Sequence, residues 1–204
     1  YPVRAEMRPL AKELARRTLG FPATGRLLLI TGGSQGAAPL NRWVEARLDD
    51  LAARGIHALC LTGPGGRDER LERTGSVVHF LPFCHQMAAA YSAADLAVTR
   101  AGAGTLAELA TCRTPAILVP LPHAADDHQT ANALQAAAGG AAILLPEREL
   151  GRLGEVAFGG ITDNAALAAM RDALALADAA NHWEELARET VAWAQARGGR
   201  VSPA

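Results

Sequence analysis

Residues 92–132, SAADLAVTRAGAGTLAELATCRTPAILVPLPHAADDHQTAN, set an apolar run, a glycine-rich turn, a helix-forming stretch with one acid, a second apolar run and a polar loop in unbroken succession. The run from Asp95 to Thr99 suits a strand buried on both faces, because it lacks the polar alternation of a half-exposed one. Gly102 and Gly104 let the backbone turn closely, and residues 105–111 have helical composition with Glu108 one turn in. Strand, turn, helix and strand make the repeating unit of a parallel sheet. A turn that feeds a helix N-terminus presents free N–H groups to an anion.

Working outward, further apolar runs predict strands at 26–31, 56–62, 77–81, 115–120 and 141–145, which with 95–99 makes six. Alanine-rich stretches of helical spacing lie between them, at 37–54 and 128–138 among others. Strands alternating with helices imply right-handed crossovers, so the expected class is α/β, a doubly wound parallel six-stranded sheet. Past residue 145 the strand signals stop, and 164–177 and 181–196 read as two amphipathic helices that close the domain. No internal repeat stands out, nor any linker long enough to argue for a second domain.

Composition removes several function classes. A net charge of −1 and an aromatic content of 4% leave neither the basic stripe nor the stacking platforms that nucleic acid needs, so no nucleic-acid partner is expected. Cys60, Cys84 and Cys112 have no metal-type spacing and sit in or beside apolar runs, which predicts reduced thiols and no disulfide framework. The first residues do not read as an export leader, and no window approaches 18 consecutive apolar residues, so any membrane contact is expected to be peripheral.

Two further features face the carboxyl ends of predicted strands, where open α/β sheets take ligands. After the 26–31 strand come Gly32, Gly33, Ser34, Gln35 and Gly36, a candidate phosphate loop that lacks both the GxGxxG spacing and the GK[ST] ending. On glycine content alone a structural tight turn and a phosphate loop both remain open. After the 115–120 strand comes the 123–130 loop, with two Asp, two His and one Gln. His123, Asp126, Asp127 and His128 are adjacent in that loop, with no HExxH register and no distant third ligand, so helix capping by Asp126 or Asp127 is expected in preference to metal binding. Glu108 admits two readings, a solvated helix acid or a carboxylate that accepts two hydrogen bonds from a ribose diol, and the polar loop beside it favours the second.

The motifs PVR at 2–4, GGSQGA at 32–37, MAAAYSAADL at 87–96, RAGAGTLAEL at 100–109 and LVPLPHAADDHQTANA at 118–133 occur in an order and spacing that resembles the C-terminal, donor-binding half of the MurG family of glycosyltransferases. The resemblance covers nearly the whole chain. It implies a Rossmann-like half of a GT-B enzyme, with residues 1–8 as the interdomain segment and 9–204 as a domain that binds UDP-N-acetylglucosamine. The implied reaction is inverting transfer of N-acetylglucosamine to an undecaprenyl-pyrophosphoryl muramoyl-pentapeptide in peptidoglycan synthesis, at the inner face of a bacterial cell membrane.

By the same resemblance Ser34 hydrogen-bonds phosphate, the backbone of Cys84 meets the uracil, Ala103, Gly104 and Thr105 surround the diphosphate, and Glu108 grips the ribose hydroxyls. Gln129, with His128 beside it, reads the sugar, and Arg4 lies near the nucleotide. No cofactor or metal is implied. The acceptor-binding N-terminal half, with its catalytic base, is expected to lie outside this chain, which makes the isolated chain inactive. FCHQM at 83–87 replaces the family's more usual FIDDM, removing two acids beside the uracil contact. The alternatives are another GT-B enzyme of the same nucleotide, such as a UDP-N-acetylglucosamine epimerase, and a non-catalytic UDP-sugar-binding or interaction module.

Overall fold

The structure, a computed structural model, describes residues 2–122, 127–181 and 183–196. The sequence LLLI makes β1 (Arg26–Thr31) a strand buried on both faces, as a central parallel strand requires. β1 pairs in parallel with β2 (Ile56–Leu61) on one side and β5 (Leu96–Thr99) on the other. β4 (Ser76–Leu81) extends the sheet beyond β2, while β6 (Ala116–Leu118) and β7 (Ala142–Leu144) extend it beyond β5.

The outer edge beside β4 is taken by β3 (Glu69–Arg73), antiparallel, so the described sheet has seven strands in the order β3-β4-β2-β1-β5-β6-β7. This corrects the expected six. The sequence ERLER carries no apolar run, and its mostly exposed, charged residues suit an edge strand that must not pair with another chain.

Alternate residues of the sheet feed two cores. Leu27, Leu29, Leu59, Leu61 and Ala97 face one side, where they meet α1 (Lys12–Thr18), α4 (Met87–Ala93), α5 (Ala103–Cys112) and α6 (His128–Ala138). Leu28, Ile30, Ala58, Cys60, Leu96 and Val98 face the other, against α2 (Ala38–Glu45), α3 (Leu48–Ala53) and α7 (Leu153–Thr162). α8 (Asn164–Ala179) contributes Leu174 to the first core and Leu167 and Met170 to the second. α9 (Trp183–Ala196) follows.

The stretch 37–54, expected as one helix, is two, broken at Ala46 and Arg47. α7 occupies a segment in which no helix was expected, preceded by a 3-10 turn at Glu147–Arg152. The N-terminal segment lies on the first core, where Met7 is buried and its sulfur sits 3.8 Å from Cys112 Sγ.

At the amino ends of β1 and β5 a buried carboxylate holds the two strands and α1 together. Asp95 accepts from the Leu27 N–H and Arg16 Nη2 at 2.8 Å each, and also pairs with Lys12 and Arg26. Burial opposes its charge, yet the Lys12, Leu27 and Arg16 contacts outweigh burial and hold its carboxyl below the usual range. Neighbouring His57 has both ring nitrogens engaged, by the Val77 N–H and the Thr24 carbonyl.

Candidate functional site

The chain runs from β1 outward through β2 to β4, then returns to place β5 on the opposite side of β1. The loops leaving β1 and β5 therefore diverge, and a crevice opens between them at the carboxyl ends of the strands. A cavity of about 420 Å³ lies there. Arg4, Gly33, Ser34, Cys84, Gly104, Thr105 and Glu108 all line it, so seven residues picked from four separate stretches converge on one place.

The loop after β1 is held by its own backbone. Gly36 adopts φ +71 with its Cα pressed on the turn at Thr62 and Gly63, and a Cβ added there would sit 2.4 Å from the Thr62 carbonyl oxygen. An added Cβ at Gly32 would lie 2.1 Å from the Gly36 carbonyl carbon. These two glycines serve chain packing. Gly33 differs, since it lines the cavity at φ +76 and an added Cβ meets nothing within 4 Å. Gln35 is exposed and does not line the cavity. Packing thus accounts for Gly32 and Gly36, while Gly33 and Ser34 line the cavity.

α5 begins at Ala103, with Gly102 at its N-cap in extended conformation and no side-chain cap. The first-turn amides of Ala103, Gly104 and Thr105 have no intrahelical acceptor, and the helix dipole adds partial positive charge at that end. One turn further, Glu108 points its carboxylate at the cavity. Arg4 Nη2 lies 3.4 Å from Oε1, and the Tyr91 hydroxyl donates to Oε2 at 3.1 Å.

The loop after β5 is fixed by three side chains. Buried Arg100 donates to the Val119 and Pro120 carbonyls at 3.1 Å each and lies 2.5 Å from Glu147 Oε2. Gln129 does not line the cavity, and its Oε1 accepts from the Ala101 N–H at 3.2 Å and the Leu121 N–H at 3.0 Å. Asn132 donates to the Ala101 carbonyl. These contacts knit the carboxyl ends of β5 and β6 into one rigid edge.

His128 begins α6 on the exposed side and lies off the cavity lining. Asp127 stands at the N-cap of α6 in left-handed conformation, but its side chain makes no capping bond, so the capping expectation fails for that residue. Asp126 and His123 lie outside the described residues. Among the described residues no group of three or more His, Cys, Asp or Glu could hold a metal. The thiols are poor nucleophiles: burial pushes Cys60 and Cys112 up to about 12 and raises Cys84 as well.

Sequence reasoning missed Thr31, Leu61, Pro82, Phe83, Met87 and Tyr91 in the lining. Met87 and Tyr91 fall inside a motif already quoted, whereas Thr31 and Leu61 are simply the last residues of their strands. Among the described residues no helix is long and apolar enough to cross a membrane.

Known proteins resemble this chain in sequence and fold. The glycosyltransferase family 28 C-terminal domain matches residues 27–186. A UDP-N-acetylglucosamine--N-acetylmuramyl-(pentapeptide) pyrophosphoryl-undecaprenol N-acetylglucosamine transferase from Opitutus terrae is 40% identical, over 99% of this chain and 55% of that protein. The enzyme of that name from Pseudomonas fluorescens is 44% identical over 74% of this chain and 42% of its own length. The crystal structure of Acinetobacter baumannii MurG superposes with a TM-score of 0.64 at 30% identity, covering 88% of this chain and 53% of that one. The calicheamicin glycosyltransferase CalG4, at 19% identity and a TM-score of 0.63, shares the fold. The chain spans about half the length of the relatives it matches. A family match over the whole sheet from β1 to α8, with the family's motifs gathered around one crevice, means that this chain belongs to glycosyltransferase family 28 and carries its C-terminal domain.

Proposed function

We propose that this chain is the donor-binding half of an inverting glycosyltransferase that moves N-acetylglucosamine from UDP-N-acetylglucosamine to a lipid-linked muramoyl-pentapeptide. The observation that carries the reading is the single cavity at the switch point, which unites Arg4, Gly33, Ser34, Cys84, Gly104, Thr105 and Glu108. Each has a part that its chemistry suits. The diphosphate lies against Ser34 and the free amides of α5, the uracil meets the backbone at Cys84, and the ribose diol donates to Glu108. Gln129 reaches the sugar with its amide nitrogen, and His128 stands at the outer rim.

Inverting transfer breaks the bond between the anomeric carbon and the diphosphate while an acceptor hydroxyl attacks the opposite face. Negative charge then grows on the leaving diphosphate, at the N-terminus of α5 where fixed N–H donors and the helix dipole stabilise it. In this reading residues 1–8 join the two halves and 9–204 form the donor domain. The acceptor site and the base that deprotonates the acceptor belong to the other half of the relatives' length. The full enzyme works at the inner face of the bacterial membrane, on a lipid that stays there.

Calorimetric titration with UDP-N-acetylglucosamine and UDP-glucose, with chelator present, tests the reading. Saturable, chelator-insensitive binding that favours the N-acetylated sugar is expected, followed by transfer to lipid acceptor once a relative's N-terminal half is supplied. Binding of neither nucleotide sugar sinks the proposal; binding without any transfer favours a non-catalytic UDP-sugar module.

A further inference from the structure

Tyr91 sits on α4 beneath the cavity, 2% exposed, with its ring in the first core. Its hydroxyl donates to Glu108 Oε2 at 3.1 Å, across 17 residues of chain. A phenol buried this deeply needs a partner, and its partner is the one acid of the cavity lining. The tyrosine is itself anchored, because its backbone carbonyl accepts from Thr114 Oγ1 at 3.0 Å where the chain enters β6. Burial first, and then the neighbouring Glu108 charge, hold the phenol well above its ordinary range, so it stays a donor throughout neutral pH. Arg4 stands over the other oxygen, Oε1, from a side chain that is 56% exposed.

The two partners differ in permanence. Arg4 is on the solvent side at 3.4 Å and can swing away, while Tyr91 is part of the core. A glutamate side chain has three rotatable bonds, and fixing one oxygen from below removes rotamer freedom before a ligand arrives. A carboxylate offers about four acceptor positions, so the contact with Tyr91 leaves the outward lone pairs of both oxygens available.

We infer that Tyr91 is a positioning residue for ribose recognition: it holds the Glu108 carboxylate with its free lone pairs toward the cavity, ready for the two adjacent hydroxyls of a nucleoside diphosphate. The inference rests on the nucleotide reading of the site and adds to it a residue that acts through Glu108. It predicts that Tyr91 acts only through ligands that carry the diol.

The test compares UDP with its 2′,3′-dideoxy analogue in calorimetry on the chain as it stands. Wild type should prefer UDP. Tyr91→Phe keeps the ring and removes the hydroxyl; it should weaken UDP about tenfold and the analogue by less than about twofold. In a Glu108→Ala background the same substitution should add nothing. Equal weakening of both ligands, or a full Tyr91 effect without Glu108, overturns the inference and leaves a core tyrosine. Wild type that binds both ligands equally overturns this inference and the Glu108 ribose contact, wild type that binds neither overturns the nucleotide reading beneath it, and an unchanged preference in Tyr91→Phe overturns this inference alone.

A second measurement does not depend on the variant folding. The chain has two tyrosines, so uniform 3-fluorotyrosine gives two fluorine signals, separated by Tyr1→Phe. The Tyr91 signal should shift when UDP binds and stay near its free position with the dideoxy analogue. An equal shift with both ligands counts against the positioning role.

Discussion

Alanine substitution in the 32–36 loop separates packing from ligand contact, because its glycines face different surroundings. At Gly33 the only structural penalty is left-handed backbone at φ +76, since an added methyl meets nothing within 4 Å. That strain is worth about 1–2 kcal/mol, or roughly 2–8 °C of Tm for a chain of this size. At Gly36 the same kind of strain is joined by a methyl 2.4 Å from the Thr62 oxygen and 2.9 Å from the Gly63 Cα, both backbone atoms that cannot turn aside. A penalty of about 3 kcal/mol or more follows. In binding the order reverses in kind. The Gly33 methyl enters the cavity where the diphosphate is proposed to lie, and losing one charge-assisted hydrogen bond there is worth about 1.5–3 kcal/mol, roughly 10- to 100-fold in affinity. Thermal unfolding and titration with UDP and with uridine read both effects. Gly33→Ala should melt roughly 2–8 °C below wild type, bind UDP 10- to 100-fold more weakly, and keep its affinity for uridine, which has no phosphate. Wild-type UDP affinity in that variant, or equal loss of uridine, refutes the placement of the diphosphate against this loop.

Other expectations follow from the same geometry. Gln129→Glu keeps an oxygen for the Ala101 and Leu121 amides but replaces the amide nitrogen with an acceptor, so Tm should hold while the preference for UDP-N-acetylglucosamine over UDP falls; an undiminished preference removes Gln129 from sugar contact. Asp95→Asn leaves the buried Arg16 guanidinium without its counter-charge and should lower stability by about 3 kcal/mol, since breaking a buried pair from one side is worth 3–5 kcal/mol; a chemical denaturation midpoint within error of wild type contradicts this. His57 is lowered from 6.5 by burial first and then by the Arg16 and Arg70 charges, against the Thr24 contact. The unfolded chain therefore binds the proton more readily, so stability should be full above about pH 6.5 and fall as pH drops through the folded value, by up to about 1.4 kcal/mol per unit. His57→Gln should flatten that slope, and an unchanged slope assigns it to other groups.

What the sequence revealed tracks how locally each feature is determined. β1 and α6 were legible to the residue, because an uninterrupted apolar run and an alanine-rich stretch specify them without outside help. β3 was not legible, since its five residues form a strand only by pairing with β4 across a short turn. α7 carries three glycines in LGEVAFGGIT, which oppose helix formation; the burial of Leu153, Ala157 and Ile161, spaced by four, overrides them. The site divides in the same way. Ser34, Gly104, Thr105 and Glu108 are named from their motifs, whereas Tyr91 and Arg100, inside quoted motifs too, act through partners that only the fold brings near.

Gln129 shows why that division matters for mechanism. Read from sequence, it is a polar residue in a polar loop, free to meet a sugar with either end of its amide. The fold commits one end, because the Ala101 and Leu121 N–H groups both need an acceptor and Oε1 serves both. The other end of the amide is then the NH2, which can only donate, and a sugar hydroxyl meeting it must act as acceptor. The same clamp ties the loop before α5 to the loop after β6, so under the proposed function the group that would read the sugar also fixes the helix end proposed to face the diphosphate. On that proposal donor recognition and leaving-group stabilisation share one edge of the sheet. A substitution that frees Gln129 from its backbone partners should therefore loosen both, while one that changes only its nitrogen should touch recognition alone.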